Sequence, residues 1–363
     1  MNKNNYALIM AGGIGSRFWP VSRTEFPKQF IDFFGIGKTL IQSTYDRFLR
    51  ICPPENIFIV TNELYTSIIK EQLPNIADNQ ILAEPIMRNT APCVAYGAMK
   101  IAEINPDATI VVAPSDHTIA NLDKFIAAIE QSLTAAANND CLITLGIQPS
   151  RPDTGYGYIQ YTENTLPTDP KLYKVKLFTE KPNTDLATSF IQSGDFLWNA
   201  GIFIWSAKSI NKAFEKHLPE MYDIFKSGQT IYNTSDETAF ISNAYQQCTN
   251  ISIDFGIMEK ADNVYVLPAE FGWSDLGTWA SIYEMAEKDY VGNAVLPADK
   301  VMMFNSSNCM VNVPDNKLVV LNGLHDYIVV EANDILMVCP RSEEQSVKQI
   351  VADLKSKFGS KYI

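Results

Sequence analysis

Between residues 5 and 146, short runs of almost continuous apolar residues alternate with longer stretches in which apolar residues recur at helical spacing. Runs that are apolar at nearly every position are typical of strands covered on both faces. Parallel strands also need a crossover connection, which is usually a helix. The pattern therefore predicts an α/β fold with a doubly wound, mostly parallel sheet. The predicted strands are YALIMA, NIFIVT, QILAE, ATIVVAP and CLITLG.

The remaining chain changes its pattern twice. Between about residues 150 and 280, strand-like runs mix with helical stretches, which predicts antiparallel strands that extend the sheet and build a second wall of a cleft. Beyond residue 289 the runs become short and β-rich, and a helix is expected over about residues 343 to 358. We therefore expect a large domain over residues 1–289 and a small β-rich C-terminal domain over residues 290–363. The β-rich runs show no clean hexapeptide repeat, and their role stays open between a cover for the cleft and a homodimer contact.

The charge balance and the cysteines exclude several classes of protein. A formal charge of −12, from 29 Lys and Arg against 41 Asp and Glu, disfavours nucleic-acid binding, which needs a basic surface. A local cationic cleft for a small anion remains compatible with this charge. The six cysteines include no CxxC pair and no Cys/His cluster of the kind that zinc needs. Reduced, buried thiols of a cytosolic protein are therefore expected.

No segment of the sequence predicts export or membrane insertion. Residues 6–11 form an apolar run that is too short for the central region of a signal peptide. No run approaches the roughly 18 consecutive apolar residues of a membrane span. We therefore expect a cytoplasmic protein that does not contact a membrane.

The first predicted strand ends in a glycine-rich segment, AGGIG, and basic residues follow it closely. The backbone N–H groups of Gly12, Gly13 and Gly15 can approach a phosphate closely because glycine has no Cβ. In this fold class, phosphate-binding turns lie at this end of the first strand. Arg17 offers a planar fork to phosphate oxygens, and Lys28 offers a mobile positive charge. The segment therefore predicts a site for nucleotide phosphates.

Two other phosphate-binding motifs are excluded by residue identity. A Walker loop needs a glycine five residues before the glycine of Gly37-Lys38-Thr39, and this sequence has Asp32 there. The dinucleotide motif G-x-G-x-x-G needs a third glycine, which permits close packing of helix on strand, and this sequence has Phe18 there. P-loop chemistry is therefore rejected, and nicotinamide-dependent hydride transfer is disfavoured.

The complete opening segment, AGGIGSRFWPVSRTEFPKQF, resembles the signature of the sugar-phosphate nucleotidylyltransferases. Its form is similar to that of the mannose-1-phosphate guanylyltransferases, also called GDP-mannose pyrophosphorylases. The resemblance covers about residues 5 to 345, and it implies a Rossmann-like nucleotidyltransferase catalytic domain followed by the small β-rich domain. The further similar segments, in family order, are EPIMRNTAP (84–92), VVAPSDH (111–117), TEKP (179–182), WNAGIFIW (198–205), SIDFGIMEK (252–260) and FGWSDLGTW (271–279).

The resemblance implies a reaction between two anions, GTP and α-D-mannose 1-phosphate. An oxygen of the sugar phosphate attacks the α-phosphorus of GTP in line, which forms GDP-mannose and releases pyrophosphate. Such catalysis depends on positioning and charge neutralisation rather than on covalent chemistry. One alternative is a sister enzyme for another sugar 1-phosphate or another nucleotide. The other is a catalytically silent subunit that binds GDP-mannose and regulates a partner, which is disfavoured because the phosphate- and metal-binding residue types are all present.

The resemblance assigns the site residues to groups. Arg17, Lys28 and Lys181 are the implied catalytic cations. The implied nucleotide-binding residues are Ala11, Gly12, Gly13, Gly15, Glu84, Arg88, Asn89 and Thr90. The implied sugar-phosphate-binding residues are Gly155, Glu180, Lys181, Asn199 and Asp254. For Thr90, an ordinary helix N-cap ahead of the first-turn Pro92 is the alternative.

Two acidic residues are the implied ligands of Mg²⁺, which prefers oxygen ligands. Asp116 follows the predicted strand ATIVVAP, at the end where ligands bind in α/β folds, and Asp275 lies in GWSDLGTW. The alternatives are a helix cap or turn for Asp116, the N-cap of a helix beginning near Leu276 for Asp275, and a strand-end turn for Asp254. We place His117 in packing rather than among the metal ligands.

The combined prediction is a single pocket with Lys28 and Lys181 on two opposing walls. Asp116 and Asp275 would hold one cation between them, so that two mutually repelling phosphates meet at one phosphorus. Some relatives carry an additional mannose-6-phosphate isomerase domain after the transferase region. Because this sequence ends at Ile363, a single activity is expected.

Overall fold

The computed structural model describes residues 1–296, 300–314 and 316–363, and its fold confirms the predicted α/β class. The chain forms two compact units, each assembled from separate stretches of sequence. The larger unit comprises Met1–Gly12, Thr44–Ser115 and Ile119–Trp273, and the smaller comprises Gly13–Ser43, Asp116–Thr118 and Ser274–Ile363. The expected division of the chain at residue 290 stays a prediction.

The strands and helices are numbered in chain order. The strands are β1 (Asn5–Ala11), β2 (Ile57–Asn62), β3 (Ile81–Glu84), β4 (Thr109–Pro114), β5 (Thr118–Ile119), β6 (Leu142–Ile147), β7 (Tyr158–Leu166), β8 (Asp169–Thr179), β9 (Phe196–Ser206), β10 (Val264–Pro268), β11 (Trp273–Ser274), β12 (Ala294–Leu296), β13 (Val301–Phe304), β14 (Met310–Asn312), β15 (Val319–Asn322), β16 (Tyr327–Ala332) and β17 (Ile335–Pro340). The helices are α1 (Leu40–Phe48), α2 (Thr66–Gln72), α3 (Thr90–Ile104), α4 (Leu122–Asn138), α5 (Thr184–Ser193), α6 (Ala207–His217), α7 (Pro219–Lys226), α8 (Glu237–Gln247), α9 (Trp279–Met285) and α10 (Val347–Phe358).

The larger unit is built on one nine-stranded sheet in the order β3-β2-β1-β4-β9-β6-β10-β8-β7. The pairings β3–β2, β2–β1, β1–β4 and β6–β10 are parallel. Strand β9 is antiparallel to β4, β6 and β7, and β8 is antiparallel to β10 and β7, so these two strands run opposite to the rest. Strand β2 is buried at every position, as expected for a strand that is covered on both faces. The sheet is therefore mostly parallel, and residues 158–206 supply the predicted antiparallel strands.

A buried ion pair ties two helices of the larger unit together. The Lys100 ammonium on α3 lies 2.6 Å from both carboxylate oxygens of Glu237 on α8. The same carboxylate accepts hydrogen bonds from the Tyr96 hydroxyl and from the Asn233 backbone N–H, each at 2.6 Å. Lys100 and Glu237 are both buried. Their charges are tolerated because the ammonium and both carboxylate oxygens have hydrogen-bond partners.

The β-rich part of the smaller unit is a stack of parallel coils. Strands β12, β14 and β16 pair in parallel on one face, and β13 pairs in parallel with β15 on another. Strand β17 adds an antiparallel edge to β16. This architecture is a short β-helix. The sequence analysis did not foresee it, because the coils repeat their backbone pairing without repeating a clean residue pattern.

The loop that follows the glycines packs within the same smaller unit. The ring centroid of Phe18 lies 4.8 Å from that of Phe33 and 5.4 Å from that of Trp279 on α9. The indole N–H of Trp19 donates to the carbonyl of Tyr362 at 2.7 Å. The predicted phosphate-binding loop is therefore anchored on residues from the C-terminal part of the chain.

The state of the cysteines agrees with an expectation from the sequence. All six cysteines are buried free thiols, as predicted. Among the described residues, none of the helices combines the length and apolar character that crossing a bilayer requires.

The buried ion pair generates a prediction for stability. Lys100→Met should lower the free energy of unfolding by about 3 kcal/mol, because the Glu237 carboxylate would then be buried without its cation. The control is Lys208→Met, which removes an exposed ammonium paired with Asp107 at the same 2.6 Å and should change the free energy by less than about 1 kcal/mol. Urea unfolding monitored by circular dichroism measures both variants. Equal losses would contradict the importance given to burial.

Candidate active site

The smaller unit contains a buried lysine, Lys28, whose ammonium hydrogen-bonds two other segments of that unit. The Lys28 ammonium donates to Asp116 Oδ2 at 2.8 Å and to the backbone carbonyl of Asp275 at 2.6 Å. Its side chain is only 5% exposed, and its Nζ lies 5.6 Å from the centroid of the Phe18 ring. One ammonium thus joins the two predicted metal-binding residues, which are far apart in the sequence.

The electrostatics of Asp116 follow from this ion pair. Burial acts to raise the pKa of the Asp116 carboxyl, but the charge of Lys28, the neighbouring His117 and the hydrogen bond to Lys28 together hold the pKa below its ordinary value. The side chain of Asp116 remains 31% exposed. It is therefore an ionised carboxylate that a cation can still reach. His117 contacts Asp116 at 4.0 Å from its Nε2 to Oδ1.

The helix-cap alternatives for both aspartates are wrong, whereas Asp116 does lie in a turn that follows β4. Helix α4 has Asn121 as its N-cap, so Asp116 caps no helix there. Helix α9 begins at Trp279 with Thr278 as its N-cap, so Asp275 does not cap it. Instead, Asp275 Oδ1 accepts from the Gly277 N–H at 3.1 Å.

Gly15 fits the backbone of the loop closely. Its φ of 68° lies in the left-handed region, where a side chain is strained. A Cβ at this position would also collide with the Lys28 side chain. The glycine therefore lets the chain pass directly over Lys28. Arg17 lies in the short helical turn Ser16–Phe18 and is exposed.

Arg23, the third cation of the opening segment, is held by backbone groups and by a carboxylate. Its guanidinium donates to the carbonyls of Pro20 and Ala332 and to Asp334 Oδ1, each at 3.2 Å. These contacts give Arg23 a structural explanation, as a link between the loop and the β16–β17 hairpin.

The larger unit brings together four predicted sugar-phosphate residues. Lys181 forms an ion pair with Glu180 Oε1 and keeps a side chain that is 61% exposed. Its φ is 47°, in the left-handed region. Asn199 Nδ2 donates to Asp254 Oδ1 at 3.0 Å. The charge of Glu180 acts on Asp254 across this cluster.

The amide of Asn199 is fixed in one orientation. Its Oδ1 accepts from the Thr144 hydroxyl at 3.0 Å and from the Gly201 N–H at 3.1 Å, so the amide NH₂ faces Asp254. Thr144 is fully buried. The sequence analysis missed Thr144, since only the fold brings β6 beside β9.

Asp254 differs from Asp116 in its environment. Burial, and next the charge of Glu180, raise the pKa of the Asp254 carboxyl to about 6. The residue begins a π-helical turn, Asp254–Met258, rather than a strand-end turn, so that alternative is wrong. Asp254 is therefore a carboxyl that changes charge near neutral pH.

Two glycines, Gly155 and Gly157, differ in what their backbones contact. A Cβ at Gly157 would lie 2.5 Å from Glu180 Oε2, so a larger residue there would displace the Glu180 carboxylate, and the sequence analysis did not select this glycine. The predicted residue Gly155 instead donates its N–H to Asp153 Oδ1 at 2.8 Å in an exposed turn.

The implied nucleotide-binding segment is anchored on α8. Glu84, the last residue of β3, is buried and accepts a hydrogen bond from the Tyr245 hydroxyl at 2.8 Å. Burial raises the pKa of Glu84 to about 7 although the hydrogen bond from Tyr245 opposes this. Arg88 Nε donates to the Tyr245 carbonyl at 3.3 Å. A Cβ at Gly12 would lie 3.6 Å from Glu84 Oε2, so Gly12, which follows the buried Ala11, lies beside this carboxyl.

The amino terminus of α3 corrects the alternative for Thr90. Asn89 is the N-cap, with a φ of 66° and a side chain that accepts from the Thr90 N–H at 2.9 Å. Thr90 is the first helical residue, and its hydroxyl accepts from the Ile253 N–H at 2.9 Å.

The structure thus gives two clusters, and it leaves part of the combined prediction open. Lys28, Asp116 and Asp275 belong to the smaller unit, whereas Lys181 belongs to the larger. The predicted opposition of Lys28 and Lys181 across one pocket stays a prediction, as do the binding roles given to the individual residues.

Comparison with known proteins fits this architecture. Residues 6–291 match the nucleotidyl transferase family, and residues 299–354 match the MannoseP isomerase/GMP-like beta-helix domain. A mannose-1-phosphate guanylyltransferase of Klebsiella pneumoniae is 36% identical over 98% of this chain and 75% of its own. The alginate biosynthesis protein AlgA of Pseudomonas aeruginosa is 36% identical over 96% of this chain and 71% of its own. A crystal structure described as a mannose-1-phosphate geranyltransferase from Thermus thermophilus has a TM-score of 0.86 at 30% identity, and the match covers 97% of this chain and 99% of that chain.

The fold and the match over residues 6–291 define the class, which is that of the nucleotidyl transferases. The sequence identity with the relatives, which extends over nearly the whole chain, specifies the family within this class. The chain belongs to the mannose-1-phosphate guanylyltransferase family, which confirms the resemblance seen in the opening segment.

Asp254 generates a pH-dependent prediction. Its pKa of about 6 in the folded chain compares with 3.8 for the free side chain, so between these values the folded state binds a proton that the unfolded state lacks. Stability contributed by Asp254 therefore falls as pH rises through this window. Asp254→Asn, which does not titrate, should gain stability relative to the wild type between pH 4 and pH 7. Urea midpoints across this range measure the difference. Asp223→Asn, an exposed control on α7, should show no such trend, and a flat difference for Asp254→Asn would refute the assignment.

Proposed function

We propose that this chain transfers GMP from GTP to α-D-mannose 1-phosphate, forming GDP-mannose and pyrophosphate. Family membership and the names of the relatives support the choice of substrates. The observation that carries the proposal is the buried Lys28 ammonium, which donates to the Asp116 carboxylate and to the Asp275 carbonyl. It lies next to Gly15, where a Cβ would collide with the Lys28 side chain. This arrangement suits a site that gathers phosphate charge.

The reaction needs little acid–base chemistry from the protein. The attacking oxygen of the sugar phosphate is already ionised at neutral pH, so no general base is required. Lys28 and the exposed Arg17 neutralise charge on the nucleotide phosphates and on the pyrophosphate leaving group. Lys181 neutralises the sugar phosphate, and its long exposed side chain allows it to reach an anion.

Magnesium fits the donor set of the smaller unit. Both candidate ligands, Asp116 and Asp275, are carboxylates, the type that Mg²⁺ prefers. No cluster of three or more His, Cys, Asp or Glu suited to a metal occurs within residues 1–296, 300–314 and 316–363. Mg²⁺ is usually bound by one or two protein carboxylates, and water and substrate phosphates fill its other coordination positions. When bound, Mg²⁺ supplies charge neutralisation on phosphate oxygens.

The larger unit supplies the groups for the sugar and the base. Glu180 accepts hydrogen bonds from sugar hydroxyls, and the amide NH₂ of Asn199, which also contacts Asp254, donates to them. We assign recognition of guanine to the segment with Glu84, Arg88 and Asn89. The carboxyl oxygens of Glu84 can accept hydrogen bonds, which suits the N–H donors on the edge of guanine.

The direct test is an assay of pyrophosphate release. The wild-type chain should release pyrophosphate with GTP and mannose 1-phosphate in the presence of Mg²⁺, and chelation of the metal should abolish the release. Greater activity with another nucleotide or another sugar 1-phosphate would favour a sister enzyme. Binding of GDP-mannose without any turnover would favour a silent regulatory subunit.

Asp275→Asn tests the metal-binding role. The asparagine retains an oxygen that can accept from the Gly277 N–H, so the fold should be unchanged. Loss of one metal-binding charge should lower kcat by roughly 10²-fold or more. Asp353→Asn, which alters an exposed carboxyl on α10, is the control. Steady-state kinetics over a magnesium titration measure both variants, and full magnesium-dependent activity in Asp275→Asn would refute the role.

Lys181→Ala tests the assignment of the sugar phosphate. It should raise the KM for mannose 1-phosphate by at least about tenfold, since a cation–phosphate contact is lost, while the KM for GTP changes less than about twofold. Lys176→Ala, an exposed lysine on β8, should leave both constants unchanged. Equal losses for both substrates would tell against the assignment.

A further inference from the structure

A pair of hydrogen bonds joins the amino terminus of α3 to the segment before Asp254. The Thr90 hydroxyl accepts from the Ile253 N–H at 2.9 Å. The next residue, Ala91, donates its N–H to the Ile251 carbonyl at 3.1 Å. More than 150 residues of chain separate the two partners, so these bonds are tertiary contacts and not part of a local turn.

The segment that Thr90 holds is one that needs an external anchor. Asp254 begins a π-helical turn, and such turns are rare and frequently lie at functional sites. The first N–H groups of a helical segment have no partner within it. Ile253 is fully buried, so its N–H must find its partner inside the protein, and the Thr90 hydroxyl is that partner.

Thr90 is not required to cap its own helix. Asn89 already serves as the N-cap of α3, and the Asn89 side chain accepts from the Thr90 N–H. Threonine also has only a modest preference for helix interiors. Its hydroxyl is therefore explained by the contact with Ile253.

We propose that Thr90 is a positioning residue that acts through Asp254. Its hydroxyl fixes the backbone immediately before Asp254, so that the Asp254 carboxyl meets the amide of Asn199. The contact fixes two parts of the proposed site relative to each other. One is the segment with Glu84 and Asn89, assigned to the base, and the other is the Asp254 carboxyl, assigned to the sugar. This inference rests on the proposed function, and it replaces direct nucleotide contact as the role of Thr90.

The experiment is a double-mutant cycle read by equilibrium binding. Thr90→Val keeps the shape of the side chain and removes the hydroxyl, and Thr90→Ser keeps the hydroxyl. Each is combined with Asp254→Asn, and isothermal titration measures the affinity of the full chain for GDP-mannose and for GTP. The matched control is Thr66→Val, because Thr66 is the first residue of α2 and its hydroxyl donates to the nearby Glu63 carbonyl, a local contact.

The expected result is a selective loss. Thr90→Val should weaken GDP-mannose binding about fivefold to tenfold and GTP binding less than about twofold, while Thr90→Ser and Thr66→Val stay within about twofold of the wild type. In the Asp254→Asn background, Thr90→Val should add less than about twofold, because the group through which it acts is already altered.

Other outcomes overturn the inference. Equal weakening of GTP and GDP-mannose by Thr90→Val would indicate direct nucleotide contact. A full additive loss on top of Asp254→Asn would show that Thr90 does not act through that carboxyl. Should Thr90→Val fail to fold, Thr90→Ala is held to the same two criteria. A wild-type chain that binds neither ligand would instead refute the proposed function.

Discussion

A buried ammonium must be paired, and the organisation of the smaller unit follows from how Lys28 is paired. Its two partners, the Asp116 carboxylate and the Asp275 carbonyl, come from segments separated by more than 150 residues. The glycine at position 15 lets the loop pass over the lysine, and aromatic packing by Phe18 holds the loop in place. Removing the Asp116 carboxylate would leave the desolvated ammonium without its counter-ion.

The same constraint explains why the compact units interleave along the chain. Residues 13–43 pack with the C-terminal β-helix region, whereas β1, which precedes them, lies in the nine-stranded sheet. The short segment 116–118 is also part of the smaller unit, because Asp116 forms an ion pair with Lys28.

Much of the fold and part of the site could be predicted from the sequence. Continuous apolar runs identified the strands of the parallel sheet, because burial on both faces leaves a local pattern in the sequence. The glycine and lysine of the opening segment were likewise found from their motif. Thr144, Gly157 and Tyr245 were missed, because their significance depends on what the fold brings beside them. The β-helix was missed for a related reason, since its repeat lies in backbone pairing.

The carboxyls of the two units show how the environment of an acidic side chain sets its pKa. Asp116 has a cation within hydrogen-bonding distance, and its pKa is held low. Asp254, which is partly buried, and Glu84, which is buried, accept hydrogen bonds from donors that carry no charge, and their pKa values rise to about 6 and about 7. A neutral amide or hydroxyl donor offsets only part of the desolvation of a carboxylate, whereas an ammonium offsets more. The nature of the nearest donor therefore decides whether a desolvated carboxyl keeps its charge at neutral pH.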